Sequence, residues 1–304
     1  MIKLTFLGTV SGIPSKARNH PAIVLEYFGE GKETILFDCG EGTQRQLNLA
    51  GISFMDIDKI FITHWHADHF AGLIPLLATM NLEKRTKELK IFAPEAERFI
   101  SHILDLGYFG NRFPIVATNV PFEGEEIFEA DSAEEYKVYS IPMLHTVPSV
   151  AFCFKENDKS NIDLDLLKKI GMKRGAWLKE LKKKGFAEVK GTNIKLEDVA
   201  KITKGLKVVY TGDTKPNDNV VKISENADVL IHDATFLEAD EVKGKAHGDV
   251  KQAAQTAKKA KVKQLILTNI SRRYKDPEEL EKTAKKVFKN SKVAYDLMEL
   301  KIKN

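Results

Sequence analysis

The sequence predicts an α/β protein in which β-sheets are covered by helices. Short apolar runs rich in β-branched residues alternate with helical patterns through most of the 304 residues, and this alternation is typical of α/β proteins. Residues that can bind metals or transfer protons follow directly after five of the predicted strands. Because sites in α/β sheets form at the carboxyl ends of strands, these residues predict one shared cleft.

The predicted elements follow one another from the first residues onward. The strands are Ile2–Gly8, Ala22–Glu26, Thr34–Asp38, Lys59–Thr63, Lys90–Ala93, Tyr136–Leu144, Val150–Lys155, Leu206–Thr211, Asp228–Asp233 and Gln264–Thr268. The helices are Thr43–Ala50, Phe70–Asn81, Ala96–Leu106, Asp249–Ala260 and Pro277–Val287. Residues 156–205 interrupt the alternation, because strand patterns are scarce there. We therefore predict a single domain over residues 1–304 with an inserted, basic, helical arm at residues 156–205.

The composition is that of a soluble globular protein, with 43% hydrophobic and 30% charged residues. The apolar stretch Phe70–Met80 is too short to span a bilayer, and the first residues resemble a strand and not a secretory signal. The two cysteines, Cys39 and Cys153, lie in apolar runs and are predicted to be buried free thiols. We expect a cytoplasmic protein without a membrane partner.

The positive charge is concentrated in one segment. Residues 159–195 contain 11 Lys and Arg against four acidic residues, a net charge of +7, whereas the whole chain has a net charge of only +4. Most such runs are solvated helix faces, and Lys-rich surfaces also occur in heat-stable proteins. A surface that binds nucleic acid is the alternative.

A dense cluster of potential metal ligands occupies residues 64–69. His64, His66, Asp68 and His69 would leave buried polar groups without partners unless a cation bound them. Nitrogen and carboxylate ligands without thiolate suit zinc, with manganese or iron as competitors. So tight a turn cannot place every side chain around one ion. The cluster therefore predicts two adjacent ions, which Asp213 could bridge, and paired ions act on phosphoryl groups.

Distinct motifs are spread along the chain. They are HxHxDH at residues 64–69, PxKxRN at 14–19, and residues 6–9 (FLGT), 36–44 (LFDCGEGTQ), His145 with 147–149 (VPS), 210–214 (YTGDT), 232–235 (HDAT) and 271–274 (SRRY). HxHxDH is the motif of the metallo-β-lactamase superfamily, and the whole set resembles ribonuclease Z, the tRNA 3′-processing endonuclease of that superfamily, with HDAT similar to its HEAT motif. The resemblance covers nearly the whole chain. It implies a four-layer αββα metallo-β-lactamase sandwich with metals at one edge.

The resemblance also implies the roles of the site residues. One metal would be bound by His64, His66 and His145, the other by Asp68 and His69, and Asp213 would be shared. Two divalent ions per subunit, zinc in the first place, would supply a metal-bound hydroxide that attacks the phosphodiester. The catalytic candidates are Asp68, Asp233 and His247. The last two would form a pair that protonates the departing 3′ oxygen; without the resemblance they would be a turn residue and a loop histidine.

The chain departs from the family pattern at three places. Asn269 stands where a metal-binding histidine is implied, and an amide oxygen is a weak ligand beside an imidazole. A weakly held second metal, a preference for manganese, and an altered, inactive protein are all compatible with this residue. Gly248 and Asp249 replace the end of an HST-like element, and Ala176 replaces a proline in the arm.

The implied function is cleavage of precursor tRNA after the discriminator nucleotide, which removes the 3′ trailer. The implied partners are precursor tRNA and a second copy of the chain in a homodimer. The implied substrate-binding residues are Lys16, Arg18, Asn19, Lys173, Arg174, Lys182, Lys183, Lys184 and Arg273. Two alternatives stay open: another metallo-β-lactamase-fold hydrolase or phosphodiesterase of small substrates, and an RNA-binding form whose catalysis is weakened by Asn269.

Overall fold

A computed structural model describes residues 1–107, 112–189, 191–238 and 246–303. The chain divides into two compact units. The first comprises Met1–Lys155 and Leu206–Lys303, and the second is Glu156–Gly205. Lys190, one of the basic residues counted in the charged segment, lies outside the described residues.

Two seven-stranded sheets form the centre of the first unit. In order across the sheet, the first contains β20 (Met298–Ile302), β1 (Ile2–Gly8), β3 (Ala22–Phe28), β4 (Lys32–Phe37), β5 (Ile57–Phe61), β6 (Leu89–Ala93) and β7 (Ile115–Asn119). The second contains β19 (Ser291–Val293), β17 (Gln264–Thr268), β16 (Val229–Asp233), β15 (Lys207–Tyr210), β10 (Val150–Glu156), β9 (Tyr136–Pro142) and β8 (Phe128–Ser132). Two short strands, β2 (Val10–Ser11) and β18 (Ile270–Ser271), pair with each other.

Helices cover the outer faces of both sheets. The helices α1 (Thr43–Leu49), α3 (Leu73–Leu82) and α4 (Ala96–Gly107) pack against the first sheet. The helices α8 (Asp218–Ser224), α9 (Val250–Lys259) and α10 (Glu278–Val287) pack against the second. The inner faces share a buried cluster in which Phe61 stacks on Phe92 and meets Phe152 edge to face. The predicted four-layer αββα sandwich is confirmed.

Parallel strands place the polar residues of the second sheet at one edge. β15 pairs with β16 and β16 with β17, both in parallel, so that Asp233 lies opposite Thr268. All five residues of β16 are buried, as expected for a strand covered on both faces. Asp213 and Asn269 follow β15 and β17, so their chain positions meet beside Asp233.

The second unit combines helices with two small sheets. β11 (Lys159–Ile162) pairs with β14 (Ala200–Thr203), and β12 (Phe186–Val189) pairs with β13 (Thr192–Lys195). The helices are α5 (Leu164–Lys169), α6 (Trp177–Lys184) and α7 (Leu196–Val199). The segment contains helices, as predicted, but also four short strands that the sequence did not predict. Four-residue strands with mostly exposed side chains are too short to show a clear alternation of apolar and polar residues.

Smaller differences concern boundaries. The predicted helix Phe70–Asn81 is two helices, α2 (Ala67–Phe70) and α3, separated at Gly72.

No helix in the described part of the chain is long and apolar enough to cross a membrane. Both cysteines are free and buried, as predicted.

Candidate metal centre

Three histidine nitrogens converge in what we call the first half of the metal centre. His66 Nδ1 lies 3.0 Å from His64 Nε2 and 3.1 Å from His145 Nε2. His64 follows β5, His66 precedes α2 and His145 follows β9, so two sheets contribute. Burial holds the pKa of His64 well below its usual value. A neutral imidazole keeps its lone pair, and three that converge suit a divalent ion.

The second half of the metal centre is rich in negative charge. His69 Nε2 lies 3.3 Å from Asp213 Oδ1 and 3.8 Å from Asp68 Oδ2. Burial lowers the pKa of His69, but the carboxylates of Asp213 and Asp38 outweigh it and raise that pKa well above its usual value. His69 Nε2 is buried without a hydrogen-bond partner among the described residues. A cation would satisfy both the charge and this nitrogen.

Asp213 lies between the two halves. Its Oδ2 is 3.9 Å from His64 Nε2 and 4.0 Å from His145 Nε2, whereas its Oδ1 faces His69. Gly212 lets the chain turn at this point, because its φ is +58° and a Cβ there would come within 2.6 Å of the side chain of Thr63. One oxygen of Asp213 therefore faces each half.

Asp38 fixes the orientation of His69 through a hydrogen bond to Nδ1, the ring nitrogen opposite the one that faces Asp213. It is fully buried at the end of β4, where it has a positive φ of 54°. Its Oδ2 accepts hydrogen bonds from His69 Nδ1 and from the Tyr210 hydroxyl, both at 2.7 Å, and its Oδ1 accepts one from the Thr63 N–H at 2.8 Å. With Nδ1 donating to Asp38, His69 would direct Nε2 at the metal centre, where a bound cation would replace the Nε2 proton.

Asp233 and His247 form a hydrogen-bonded pair beside Asp213. His247 Nδ1 lies 2.9 Å from Asp233 Oδ2 and 3.8 Å from Asp213 Oδ2. Burial lowers the pKa of His247, but Asp233 and Asp213 raise it overall to about 9. Asp233 Oδ1 also accepts hydrogen bonds from the N–H and the hydroxyl of Thr235, so both carboxylate oxygens of Asp233 have partners. The imidazole therefore has a proton available at neutral pH.

Asn269 follows β17 and lies beside Asp213 in the second half of the metal centre. Its Nδ2 donates to Asp213 Oδ1 at 2.7 Å, and its Oδ1 is buried without a partner among the described residues. Its φ of 58° is one that asparagine adopts more readily than most residues.

A cleft of about 830 Å³ opens onto the metal centre. His66, His145 and His247 line it on one side, and Arg272 and Arg273 line it together with residues 11–13. The Arg273 guanidinium lies over the ring of Phe236, 5.4 Å from its centroid. The cleft therefore presents two cationic side chains near the histidines.

The structure separates the three candidate RNA-binding residues of the PxKxRN element. Lys16 is exposed. Arg18 donates from Nη1 to Thr9 Oγ1 at 2.6 Å and to the Ala294 carbonyl at 2.7 Å. Asn19 donates from Nδ2 to the Glu41 carbonyl at 2.9 Å. Arg18 and Asn19 thus fix the loop, whose Gly12 N–H donates to Asp68 Oδ2 at 2.9 Å.

The remaining basic candidates lie in the second unit, with exposed side chains. Lys173 and Arg174 occupy the loop between α5 and α6. Lys182, Lys183 and Lys184 form the last turn of α6, where positive charge also stabilises the carbonyl end of a helix. Lys184 pairs with Glu180 at 2.7 Å.

Four residues that the sequence did not single out take part in the site. Thr63 and Tyr210 hydrogen-bond Asp38, Thr235 holds Asp233, and Phe236 supports Arg273. Thr63, Tyr210 and Thr235 are each within two residues of a candidate or in a motif of the family, which was the only available signal, and Phe236 had no such signal. The contacts of Thr63 and Tyr210 with Asp38, and of Phe236 with Arg273, join residues that are far apart in the sequence, so only the folded chain shows them.

The comparisons with known proteins agree with this architecture. Residues 2–166 match a family model described as anti-Pycsar protein Apyc1, and residues 198–270 match a beta-lactamase superfamily domain. The ribonuclease Z of Thermococcus sibiricus is 42% identical, covering 94% of this chain and 91% of the relative. The ribonuclease Z of Archaeoglobus fulgidus is 41% identical, covering 99% and 98%. The crystal structure of the short form of human tRNase Z has a TM-score of 0.72 at 30% identity, covering 99% of this chain and 100% of that chain.

Proposed function

The chain belongs to the ribonuclease Z family, and we propose on that premise that it is a metal-dependent endoribonuclease that cleaves precursor tRNA at its 3′ side. The cleavage would fall after the discriminator nucleotide and remove the 3′ trailer. The two archaeal relatives reported above cover 94% and 99% of the chain, whereas the two family models match only residues 2–166 and 198–270.

The observation that carries the proposal is the position of Asp213. One of its oxygens faces three histidines, the other faces His69, and the Asp233–His247 pair adjoins it. Paired divalent ions held by these residues would stabilise the charge that develops on the phosphodiester and would activate water at neutral pH. His69 Nε2 has no hydrogen-bond partner among the described residues, and the site offers imidazole nitrogens and carboxylate oxygens as ligands. Both observations fit divalent ions.

We assign the ligands as the residues converge in the structure. His64, His66 and His145 would bind one ion, taken as zinc, and Asp68 and His69 would bind the other, with Asp213 shared. Asn269 would offer only an amide oxygen. In the catalytic roles, Asp68 would hold its ion while fixed by the Gly12 N–H, and Asp233 would orient His247.

His247 would donate the proton that the leaving 3′ oxygen needs. Because Nδ1 is hydrogen-bonded to Asp233 Oδ2, the proton on Nε2 is the one free to move. In the metal-free protein, burial lowers the pKa of His247 but Asp233 and Asp213 raise it to about 9, which supports a protonated imidazole at neutral pH.

The remaining residues would hold RNA. Arg272 and Arg273 lie in the cleft where the scissile phosphate would enter. The exposed lysines of α6 would bind the tRNA backbone by charge and shape. We further propose a cytoplasmic homodimer in which the inserted segment of one subunit holds RNA that the other subunit cleaves.

A precursor tRNA with a labelled 5′ end tests the proposal directly. Zinc- and manganese-supplemented protein should release one product that ends in a 3′ hydroxyl at the discriminator. His64→Ala should abolish the product, whereas His102→Ala, an equivalent change at an exposed position on α4, should leave it unchanged. Binding without cleavage would favour the RNA-binding alternative. Turnover of small phosphodiesters without tRNA cleavage would favour the small-substrate hydrolase.

A further inference from the structure

Asp296 lies in the turn that connects β19 with β20, and it does not line the cleft. Both ends of this turn are fixed by backbone hydrogen bonds. The Ala294 N–H donates to the Leu267 carbonyl at 2.8 Å, and the Leu297 N–H donates to the Phe6 carbonyl at 2.7 Å. Because β19 and β20 belong to different sheets, the turn joins the two sheets and gives Asp296 a fixed position.

Asp296 accepts three hydrogen bonds from other segments of the chain. Its Oδ1 accepts one from the Thr9 hydroxyl at 2.7 Å. Its Oδ2 accepts one from the Asn19 N–H at 2.6 Å and one from Gln46 Nε2 at 3.1 Å. The Thr9 hydroxyl in turn accepts a hydrogen bond from Arg18 Nη1 at 2.6 Å. Both ends of one loop, at Thr9 and at Asn19, therefore meet at a single carboxylate.

The loop of residues 9–19 contributes to the cleft. Residues 11–13 line it, and Lys16 is exposed. The Gly12 N–H donates to Asp68 Oδ2 at 2.9 Å. The position of this loop therefore determines where a candidate RNA-binding lysine lies and how a candidate metal ligand is held.

The same loop supports a second stretch of the cleft. Its short strand β2 pairs in parallel with β18, and the Ile270 N–H donates to the Thr9 carbonyl at 2.9 Å. Arg272 and Arg273 follow β18 directly and line the cleft. A displacement of the loop would therefore also displace the two arginines.

We propose that Asp296 is a positioning residue for RNA, which holds the loop of residues 9–19 and, through β18, Arg272 and Arg273 in the arrangement that binds the substrate. The inference rests on the proposed function for the identity of the ligand, precursor tRNA. Cationic side chains that are already in place bind with less loss of conformational entropy than side chains that become ordered on binding. The carboxylate therefore contributes to RNA affinity without touching RNA.

Two substitutions separate the contribution of Asp296 into steps. Asp296→Ala removes every acceptor, whereas Asp296→Asn keeps one oxygen, which can still accept from the Asn19 N–H and Gln46 Nε2. Since a displacement of about 1 Å by a remote substitution can cost about 100-fold, kcat/KM for precursor tRNA should fall about 10–100-fold in Asp296→Ala. Most of this loss should be a rise in KM, and Asp296→Asn should restore part of it.

Asp228 supplies the matched control. It is a buried carboxylate directly before β16. Its Oδ2 accepts a hydrogen bond from the Lys207 N–H at 2.7 Å, and its Oδ1 lies 2.6 Å from Lys263 Nζ. Asp228 thus also joins separate segments, but at the end of β16 opposite Asp233. Asp228→Ala and Asp228→Asn should lower the melting temperature and leave KM for precursor tRNA unchanged.

RNA affinity and amide exchange provide readouts that do not depend on cleavage. The metal-loaded full chain is titrated with a tRNA that ends at the discriminator nucleotide, and its hydrogen–deuterium exchange is followed by mass spectrometry without RNA. In both Asp296 variants, Kd should rise with KM, and exchange should accelerate at residues 9–19 and 270–273 but not at residues 229–233. If Asp296→Ala does not fold, Asp296→Asn carries the test.

A merely structural role of Asp296 predicts a different pattern. Exchange that accelerates uniformly along the chain, a fall in kcat with unchanged KM and Kd, or an equal rise of KM in the Asp228 variants overturns the inference. A local rise in exchange together with raised KM and Kd, confined to the Asp296 variants, supports it.

The two proposals fail in different ways. A chain that binds the tRNA, and binds it more weakly in the Asp296 variants, but cleaves no precursor tRNA overturns the proposed function alone. A chain that cleaves precursor tRNA with KM, Kd and exchange unchanged in Asp296→Ala overturns the inference about Asp296 alone.

Discussion

The metal centre and the segment Glu156–Gly205 hold their titratable residues in opposite ways. In the metal centre, His64, His69 and Asp213 are almost entirely buried, and each side chain has fixed neighbours. In the segment, Lys182 and Lys183 are exposed on the last turn of α6. Buried charges depend strongly on particular partners, whereas exposed charges are screened by water and salt. We therefore expect substitutions in the metal centre to affect chemistry and substitutions in the segment to affect RNA binding.

The largest effect is expected at Asp213. Asp213→Asn removes the negative charge that both halves share and should weaken the binding of both ions. Because a bound metal stabilises the transition state by several kcal/mol, kcat should fall roughly 10³-fold or more. Single-turnover cleavage and metal analysis measure the effect. Asp218→Asn, at an exposed position on α8, should have none. A mere change in KM would contradict the proposed role of Asp213.

The Asp233–His247 pair should act as a unit. Asp233→Asn and His247→Gln should each lower kcat by about 10²–10⁴-fold, the range for loss of general acid catalysis. Because the two residues share one proton path, the double variant should be no slower than the slower single variant. Multiplicative effects would show that the residues act separately.

A smaller effect is expected at Asp38, which hydrogen-bonds His69 directly and reaches His64 through the Thr63 hydroxyl. Asp38→Asn weakens the hydrogen bond to His69 Nδ1 and should reduce metal affinity about 10–100-fold. Excess metal should restore kcat, which distinguishes a positioning residue from a catalytic one. The comparison variant Thr63→Ser, which keeps the hydroxyl, should retain nearly full affinity.

The pKa of His247 predicts how pH affects the stability of the metal-free protein. Burial lowers that pKa, but Asp233 and Asp213 raise it from 6.5 to about 9. The contribution of His247 to the free energy of unfolding is therefore complete below about pH 6.5 and is lost as pH rises through about 9. Urea denaturation in chelator should show a greater loss for His247→Gln at pH 6 than at pH 10. Equal losses would contradict the raised pKa.

The smallest effect is expected in the segment. Neutralising Lys182, Lys183 and Lys184 to Gln should weaken precursor-tRNA binding about 10-fold at low salt. The salt dependence should decrease by about one unit of slope for each lysine that contacts a phosphate. The matched control changes Lys258, Lys259 and Lys261, also exposed, to Gln. If affinity and salt slope stay unchanged in the first variant, the lysines only stabilise the helix end.

The same contrast explains which parts of the structure were predictable. Most central strands and the ligand cluster at residues 64–69 were evident, because apolar runs and closely spaced ligands are local patterns. The strands of the segment were missed, since each has four residues and little burial. Edge strands such as β7 and β8 were missed for the same reason: their side chains are only partly buried or exposed.

The sequence by itself predicted the αββα class and the family and supplied the candidate ligand residues, because motif spacing and hydrophobic pattern are properties of adjacent residues. Only the tertiary structure decided that Arg18 and Asn19 hold a loop together, that Asp38 orients His69, and that Asn269 donates to Asp213. These contacts join segments far apart in the chain, and the direction of a hydrogen bond or the orientation of an amide depends on neighbours that only folding brings together.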